Sequence, residues 1–297
     1  MKAWFLRLHR WVALIFALPL VFVLGTAAVL SFEPWLVTSA IKPGSLTADK
    51  VSALLAQHDP AGKATRLSHR VYDGTLQIGR GTIIDVASGQ PTAGPSALAA
   101  TMRTARRMHE TLLLDLGWLV LASSFVMIGL AVLGVAMGWP RFANTLGGWH
   151  SGAAWVLLPL LVLSPLTGIL MAYHISFTGP RAPAPKEPPL KLAEAVRIVG
   201  AKHDLSGLIW LRARRGRMLA RIVEGGEWRV YTVSRAGTTP TARNWPRLWH
   251  EGNFAGMWSS LMNIVTSITM LGLLITGIWI WARRRMRLAA RRRLQVV

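Results

Sequence analysis

Cysteine is absent from this chain of 297 residues. Its absence excludes disulfide bonds, thiolate metal sites, iron–sulfur clusters and the C-x-x-C-H attachment of a c-type haem. Any redox chemistry must therefore use histidine ligands or a diffusible cofactor. Charged residues are also scarce, at 16% of the chain, whereas about a quarter is usual in a soluble domain. The composition therefore argues against a soluble globule.

Charge is missing altogether from four long apolar runs. Each run is long enough for a helix to cross a bilayer, which takes about 20 residues. The runs cover residues 11–32, 116–139, 152–173 and 254–282. The first run is longer than the core of a secretory signal, which has about 7–15 residues, so we expect an uncleaved span. The sequence predicts a mainly α-helical membrane protein with four transmembrane helices.

Acidic residues are also missing from both termini and from the short connection between the second and third runs. The N-terminus carries Lys2, Arg7 and Arg10, and the tail after the last run carries seven arginines. Short basic segments mark the cytoplasmic side, whereas loops longer than about 60 residues are translocated whatever their charge. Both termini are therefore expected in the cytoplasm, and the two long connections on the outer side.

The formal net charge of +21 partly reflects these basic anchors. It does not indicate nucleic-acid binding, because the sequence shows no stacking motif among the arginines. The second outer connection carries 14 Lys and Arg residues against six Asp and Glu residues. This excess favours anionic ligands or membrane lipid headgroups as partners.

Four of the eight histidines are related by one spacing. His9 and His150 are 141 residues apart, and so are His109 and His250. The repeated offset indicates a duplicated unit of span, outer segment and span. Both halves begin and end on the same side, so the repeats are parallel and related by a pseudo-two-fold axis along the membrane normal. The sequence predicts one histidine pair near the inner surface and one near the outer surface.

The two outer segments also resemble each other. Each begins with a short amphipathic helix and continues as alternating strands with tight turns, at Asp73-Gly74 and at Gly225-Gly226. We therefore expect two small α+β modules. The predicted organisation is 1–33 for the N-terminus and first transmembrane helix, 34–108 for the first outer module, 109–140 for the second transmembrane helix, 141–149 for a cytoplasmic loop, 150–174 for the third transmembrane helix, 175–249 for the second outer module, 250–283 for the fourth transmembrane helix, and 284–297 for a basic cytoplasmic tail.

Two imidazoles at one depth suit the two axial positions of a b-type haem, and an apolar helix bundle suits a porphyrin. Zinc is less suited, because it usually takes three or four protein ligands and each level offers two histidines. The basic residues near the histidines have two interpretations, as partners of haem propionates or as interfacial anchors. These residues are Arg7, Arg10, Arg106 and Arg107.

Three further residues near the span ends have open roles. His174 ends the third run and has no counterpart in the first. It is a lone interfacial histidine, a replacement for one member of the outer pair, or a residue near a substrate. Glu110 and Glu251 directly follow the outer histidines, and we expect them to orient an imidazole, relay a proton or start a helix.

Several short motifs resemble the PepSY-associated transmembrane (PepSY-TM) family. They are "LHRW" near the N-terminus, "LTG" in the third run, "WHEG" before the fourth run, and "TGIWIWARRR" at its end. The resemblance covers nearly the whole chain and implies that both outer modules are PepSY-like. Some members are di-haem reductases of the bacterial inner membrane that act on ferric siderophores.

For this chain the resemblance implies two b haems, with iron ligands His9, His150, His109 and His250. It also implies a cytoplasmic electron donor, either a separate protein or a quinol, and an outer acceptor such as a ferric chelate. Transmembrane electron transfer by an oxidoreductase is the leading interpretation. The alternative is a non-enzymatic membrane scaffold that presents PepSY modules to proteases or other proteins. The level of Phe32 is 23 residues from His9, about 35 Å along a helix, which is wide for rapid transfer.

Overall fold

The computed structural model describes residues 2–140, 142–179 and 190–294. The chain divides into two compact units. The first, which we call the membrane unit, comprises Met1–Ser31, Thr104–Ile175 and Leu261–Val297. The second, which we call the sheet unit, comprises Phe32–Arg103 and Ser176–Ser260.

Helices make up most of the secondary structure. In chain order they are α1 Lys2–Ile15, α2 Ala17–Leu30, α3 Glu33–Ala40, α4 Ala48–His58, α5 Ala97–Thr111, α6 Gly117–Ala136, α7 Leu146–Val156, α8 Leu158–Ala172, α9 Leu192–Gly200, α10 Trp245–Glu251 and α11 Met257–Leu294. The strands are β1 Arg66–Arg70, β2 Thr75–Ile78, β3 Ile83–Asp85, β4 Leu208–Arg214, β5 Arg217–Glu224, β6 Glu227–Ser234 and β7 Gly237–Pro240.

Three helical segments in the described part of the chain are long and apolar enough to cross a membrane. They are Ala17–Ala40, Gly117–Ala136 and Met257–Arg291. Helices α7 and α8 form a fourth span if the bent pair is counted as one. A mainly helical membrane protein with three or four spans, together with a separate antiparallel sheet, is thereby confirmed.

The first and third predicted spans are broken helices. Helix α1 gives way to α2 at Phe16, three residues before Pro19, and α7 gives way to α8 at Leu157, two residues before Pro159. A proline ring clashes with the carbonyl four residues earlier and has no N–H to donate, so a helix bends or breaks there. Helices α7 and α8 are bent by 65°. The two breaks are 141 residues apart, which is the spacing of the histidine pairs.

The sheet unit contains one seven-stranded antiparallel sheet in the order β3-β2-β1-β4-β5-β6-β7. The two halves meet at the β1–β4 pair, where Leu67 lies opposite Leu211, with three strands from the first half and four from the second. The two predicted modules therefore share one sheet instead of folding separately. A three-stranded module would leave a strand edge unpaired, and pairing β1 with β4 removes one edge from each half.

Both halves of the sheet unit also contribute to one hydrophobic core. Helices α4 and α9 cover the sheet face that carries Leu67 and Leu211, and both of these leucines are fully buried. The two helices approach closely at Gly200, where an added Cβ would lie 2.7 Å from the Cβ of Ala48. The core therefore depends on residues from both repeats.

His69 lies in β1 at the centre of this sheet and is 7% exposed. Its Nδ1 is 3.0 Å from the carbonyl oxygen of Leu208, so the ring links β1 to β4. Burial lowers the pKa of His69, and this outweighs the opposite effect of the hydrogen bond.

A lowered pKa in the folded state makes stability depend on acidity. The contribution of His69 is present above the unfolded-state pKa of about 6.5 and is lost as the pH falls through the lower folded-state pKa. We expect His69→Gln to flatten the fall in unfolding free energy as the pH decreases below about 6.5, measured by urea unfolding in detergent. An equal slope in the variant and the wild type would contradict this assignment.

Candidate functional site

His9 on α1 and His150 on α7 come together in the membrane unit. Each lies on the short helix before a break in its span. Both border one mostly apolar cavity of about 470 Å³. Ligand and cofactor cavities usually have about 300–1,000 Å³, so the volume is appropriate for a bound group.

The cavity is lined by four stretches of the membrane unit. Arg10 is the one charged side chain among the described residues that line it. The apolar lining includes Leu20, Leu24, Met127, Leu130, Leu161, Met270, Leu273 and Leu274. A mostly apolar cavity with two imidazoles and one guanidinium can hold a flat apolar ligand that has anionic substituents.

Thr276 on α11 fixes the tautomer of His150. Its hydroxyl lies 2.8 Å from Nδ1 of His150 and donates its hydrogen to the carbonyl of Gly272 at 2.7 Å. Because that hydrogen is already used, the hydroxyl oxygen accepts from the Nδ1–H of the imidazole. Nε2 of His150 therefore carries the lone pair, as a metal ligand requires.

His9 has no comparable hydroxyl among the residues that the structure describes. Its ring interacts with the backbone of Leu130, but the buried Nδ1 makes no hydrogen bond of good geometry within that part of the chain. Thr276 directly precedes Gly277, and the corresponding residue before Gly134 in the first repeat is Leu133. The two imidazoles that border the cavity are therefore unequally supported.

His109 lies in the last turn of α5, not on the spanning helix α6. Its Nδ1 is 3.1 Å from the carbonyl of Val23 and 3.3 Å from the hydroxyl of Thr26. The Thr26 hydroxyl donates to the carbonyl of Phe22 at 2.6 Å, so the Nδ1–H of His109 is again the donor to its neighbours. This contact places His109 deeper than the level of Phe32 that the sequence predicted.

The contact with Val23 shortens the helix path between the levels of His9 and His109. Only fourteen residues of helix separate His9 from Val23, which is about 21 Å at 1.5 Å per residue. The break at Phe16 shortens this path further. The 35 Å path was counted to Phe32, whereas His109 contacts Val23, nine residues earlier. The chain turns from α5 into α6 a few residues after His109. Leu112, Leu113 and Asp115 make that turn with positive φ angles.

His250 belongs to the sheet unit, where it is half-buried in the last turn of α10. The side chain of Asn244 caps the start of this helix, and Gly252 ends it with φ 65°. The pairing of His250 with His109 stays a prediction. Glu251 holds the end of α10 through Arg221, since their Nη2 and Oε2 atoms are 2.8 Å apart.

His174 follows the end of α8 and is exposed, with φ 59° and its backbone N–H on the carbonyl of Met171. His58 ends α4 with its Nε2 3.0 Å from the carbonyl oxygen of Gly89. His203 contacts Glu224 and lies 2.9 Å from the hydroxyl of Thr238. None of these three contacts brings the histidine to the cavity.

Thr26 and Thr276 were missed by the sequence interpretation. Both are polar residues beside a glycine in an apolar run, in "LGT" and "ITG", and that pattern is the signal that could have found them. Among the described residues, no group of three or more His, Asp or Glu side chains is assembled around a possible metal ion. A two-imidazole site is a different arrangement, because a porphyrin supplies the other ligands.

Comparison with curated proteins gives no match to this chain. The family model described as the PepSY-associated TM region matches residues 6–284, which is nearly the whole chain. The matched region includes His9, His150 and both segments that form the sheet. The chain therefore belongs to the PepSY-associated TM family of membrane proteins.

Proposed function

We propose that this protein binds two b-type haems and transfers electrons across a bacterial inner membrane to an outer acceptor such as a ferric chelate. The observation that carries the proposal is the apolar cavity bordered by His9 and His150. A bound haem supplies a one-electron redox couple. The protein supplies the ligands, the orientation of those ligands and a site that excludes water.

Each inner histidine has a defined task in this proposal. His150 is held by Thr276 with its Nε2 lone pair available, which is the arrangement of an axial ligand. His9 borders the same cavity and is the proposed second ligand. Its Nδ1 has no partner among the described residues, so we expect the bound haem iron to be the main contact that positions this ring. Arg10 is the lining residue that can neutralise a propionate.

The proposed ligands of the outer haem are His109 and His250. The carbonyl of Val23 and the hydroxyl of Thr26 hold the Nδ1–H of His109, which favours a ligand role for its Nε2. His250 is the proposed second ligand, on the strength of the 141-residue repeat. The donor in this scheme is a quinol or a separate protein on the cytoplasmic side, which is also the proposed side of both termini.

The hydrogen bond between Thr276 and His150 allows a first test of the proposed inner haem site. Thr276→Val removes the oxygen that accepts from Nδ1–H and leaves the apolar lining nearly unchanged. Loss of such a partner typically costs about 10–100-fold in metal affinity, so we expect about tenfold faster loss of one haem to apomyoglobin.

Thr266→Val is the matched control for that variant. Thr266 lies on the same helix α11, is 3% exposed and also donates to a carbonyl four residues earlier, at 2.8 Å. We expect its haem retention to equal that of the wild type. Equal retention in both variants would contradict the role of Thr276.

The proposed activity is tested in liposomes that contain the purified protein and enclose dithionite. External ferric citrate with a ferrous-iron chelator should give coloured product at a rate that depends on the protein. Control liposomes without protein should show only the slow iron reduction caused by dithionite that leaks through the lipid. A haem-free protein without this activity would favour the alternative, a membrane scaffold that presents its PepSY-like sheet to other proteins.

A further inference from the structure

The face of the sheet opposite α4 and α9 carries a concentration of arginines, which we call the arginine face. Across the described strands the register places one carboxylate on this face, Asp85 on β3, which binds Ser88. The same face carries six arginines: Arg66, Arg70, Arg212, Arg214, Arg217 and Arg221. Arg66 lies directly opposite Arg212, and Arg214 lies opposite Arg217. Like charges that face each other across strands destabilise a sheet, so this pattern costs stability unless a counter-charge is present.

A carboxylate from outside the strands supplies part of that counter-charge. Glu251 on α10 binds Arg221 at 2.8 Å and Arg247 at 2.9 Å. Arg212 has no such carboxylate partner within the described ranges. Burial lowers the pKa of Arg212, and the charges of Arg214, Arg221, Arg247 and Arg66 lower it further.

Some N–H donors on the arginine face have no acceptor within the described ranges. Four buried N–H groups on it have no partner among the residues that the structure describes: Nη1 of Arg70, Nε of Arg212, Nε of Arg221 and Nε1 of Trp228. Arg221 is itself only 8% exposed. Water can accept from N–H groups, but it does not neutralise adjacent guanidinium charges.

Two tryptophans hold the guanidinium groups in place. Arg212 lies 4.0 Å from the ring centroid of Trp210, and Arg221 lies 4.8 Å from that of Trp228. Stacking on an aromatic ring fixes the plane of a guanidinium and orders its donors before any ligand arrives. The face is therefore a prepared set of donors and positive charges.

We propose that the arginine face is a binding site for a polyvalent oxyanion, a molecule with phosphate groups or clustered carboxylates. Guanidinium groups bind both kinds of group through paired N–H donors. Neighbouring strands are about 4.8 Å apart, so guanidinium groups on adjacent strands can contact the same molecule. The proposal does not depend on haem, and the ligand has two possible sources, a soluble molecule or a lipid headgroup.

The soluble source is tested by calorimetry on the full-length protein in an uncharged detergent, with citrate and pyrophosphate as probes. We expect binding that weakens as salt rises from about 50 to 300 mM, because exposed charges are screened. Arg66→Gln combined with Arg212→Gln should raise the Kd about tenfold or more. Arg66→Gln with Arg214→Gln, both exposed, provides a second variant should the first disturb the fold.

Lys63→Gln with Arg80→Gln is the matched control, since both residues are exposed outside these strands and the charge change is the same. Its Kd should stay within about twofold of the wild type. The lipid source is tested in nanodiscs, where phosphatidylglycerol should raise the melting temperature above that in phosphatidylcholine, and the Arg66 and Arg212 double variant should remove that difference. Absence of probe binding together with absence of a lipid preference would overturn the proposal, and so would arginine-face variants that match the control.

Discussion

Replacing His150 with alanine is expected to lower the haem content from about two to about one per chain and to abolish electron transfer across the membrane. The cavity and its apolar lining would remain, but the ligand held by Thr276 would be gone. A single imidazole from His9 leaves one axial position open, so retention of the inner haem falls sharply. Haem is quantified by the pyridine haemochrome method, and transfer by the liposome assay with external ferric citrate.

Two controls make the His150→Ala result specific. His58→Ala removes a histidine that bonds only to the carbonyl of Gly89 among the contacts described, and His174→Ala removes one that is exposed after α8. Both variants should keep two haems per chain and the wild-type transfer rate. Full haem content in His150→Ala would contradict the ligand assignment, whereas a loss in His174→Ala would assign that residue to a haem site.

Leu211→Ala is expected to have the largest effect on stability. The side chain is fully buried where β4 of the second repeat pairs with β1 of the first. Loss of a buried leucine side chain costs about 2–5 kcal/mol through lost transfer energy and the cavity left behind. Leu67 from the first repeat lies opposite Leu211, so both halves of the sheet should be weakened together. Urea unfolding measures the loss of unfolding free energy. Hydrogen exchange in β2 and β5 shows whether both halves of the sheet are weakened.

Leu98→Ala is the matched control, since Leu98 is 40% exposed at the start of α5. A substitution at an exposed position should change the unfolding free energy by no more than about 0.5 kcal/mol. Faster exchange in β5 alone, with β2 unchanged in Leu211→Ala, would show that the two modules are independent. That outcome would contradict the single shared core.

The sequence predicted those features that depend on local pattern. The apolar runs identified the membrane spans, and the 141-residue offset related His9 to His150. Alternation and tight turns located the strands on either side of Asp73-Gly74 and Gly225-Gly226. Spans, strands and turns leave such signals because helix period, strand period and turn chemistry are properties of neighbouring residues.

The features that the sequence did not predict depend on long-range packing. Nothing local to β1 or β4 indicates that they pair, because either strand could equally be an edge of its own module. The depth of His109 was also missed, since it depends on the turn at Leu112 and on contacts with α2. Thr276 is distant in sequence from His150, so its role required the packed helices.

The most direct test of the central claim is the absorption spectrum of the purified protein, oxidised and then reduced with dithionite, together with the amount of haem per chain. The account predicts a six-coordinate b-type spectrum with sharp bands on reduction and about two haems per chain, since four histidines provide two axial pairs. A colourless protein purified from cells with ample haem would contradict the account. His9 and His150 would then be structural residues of the membrane unit.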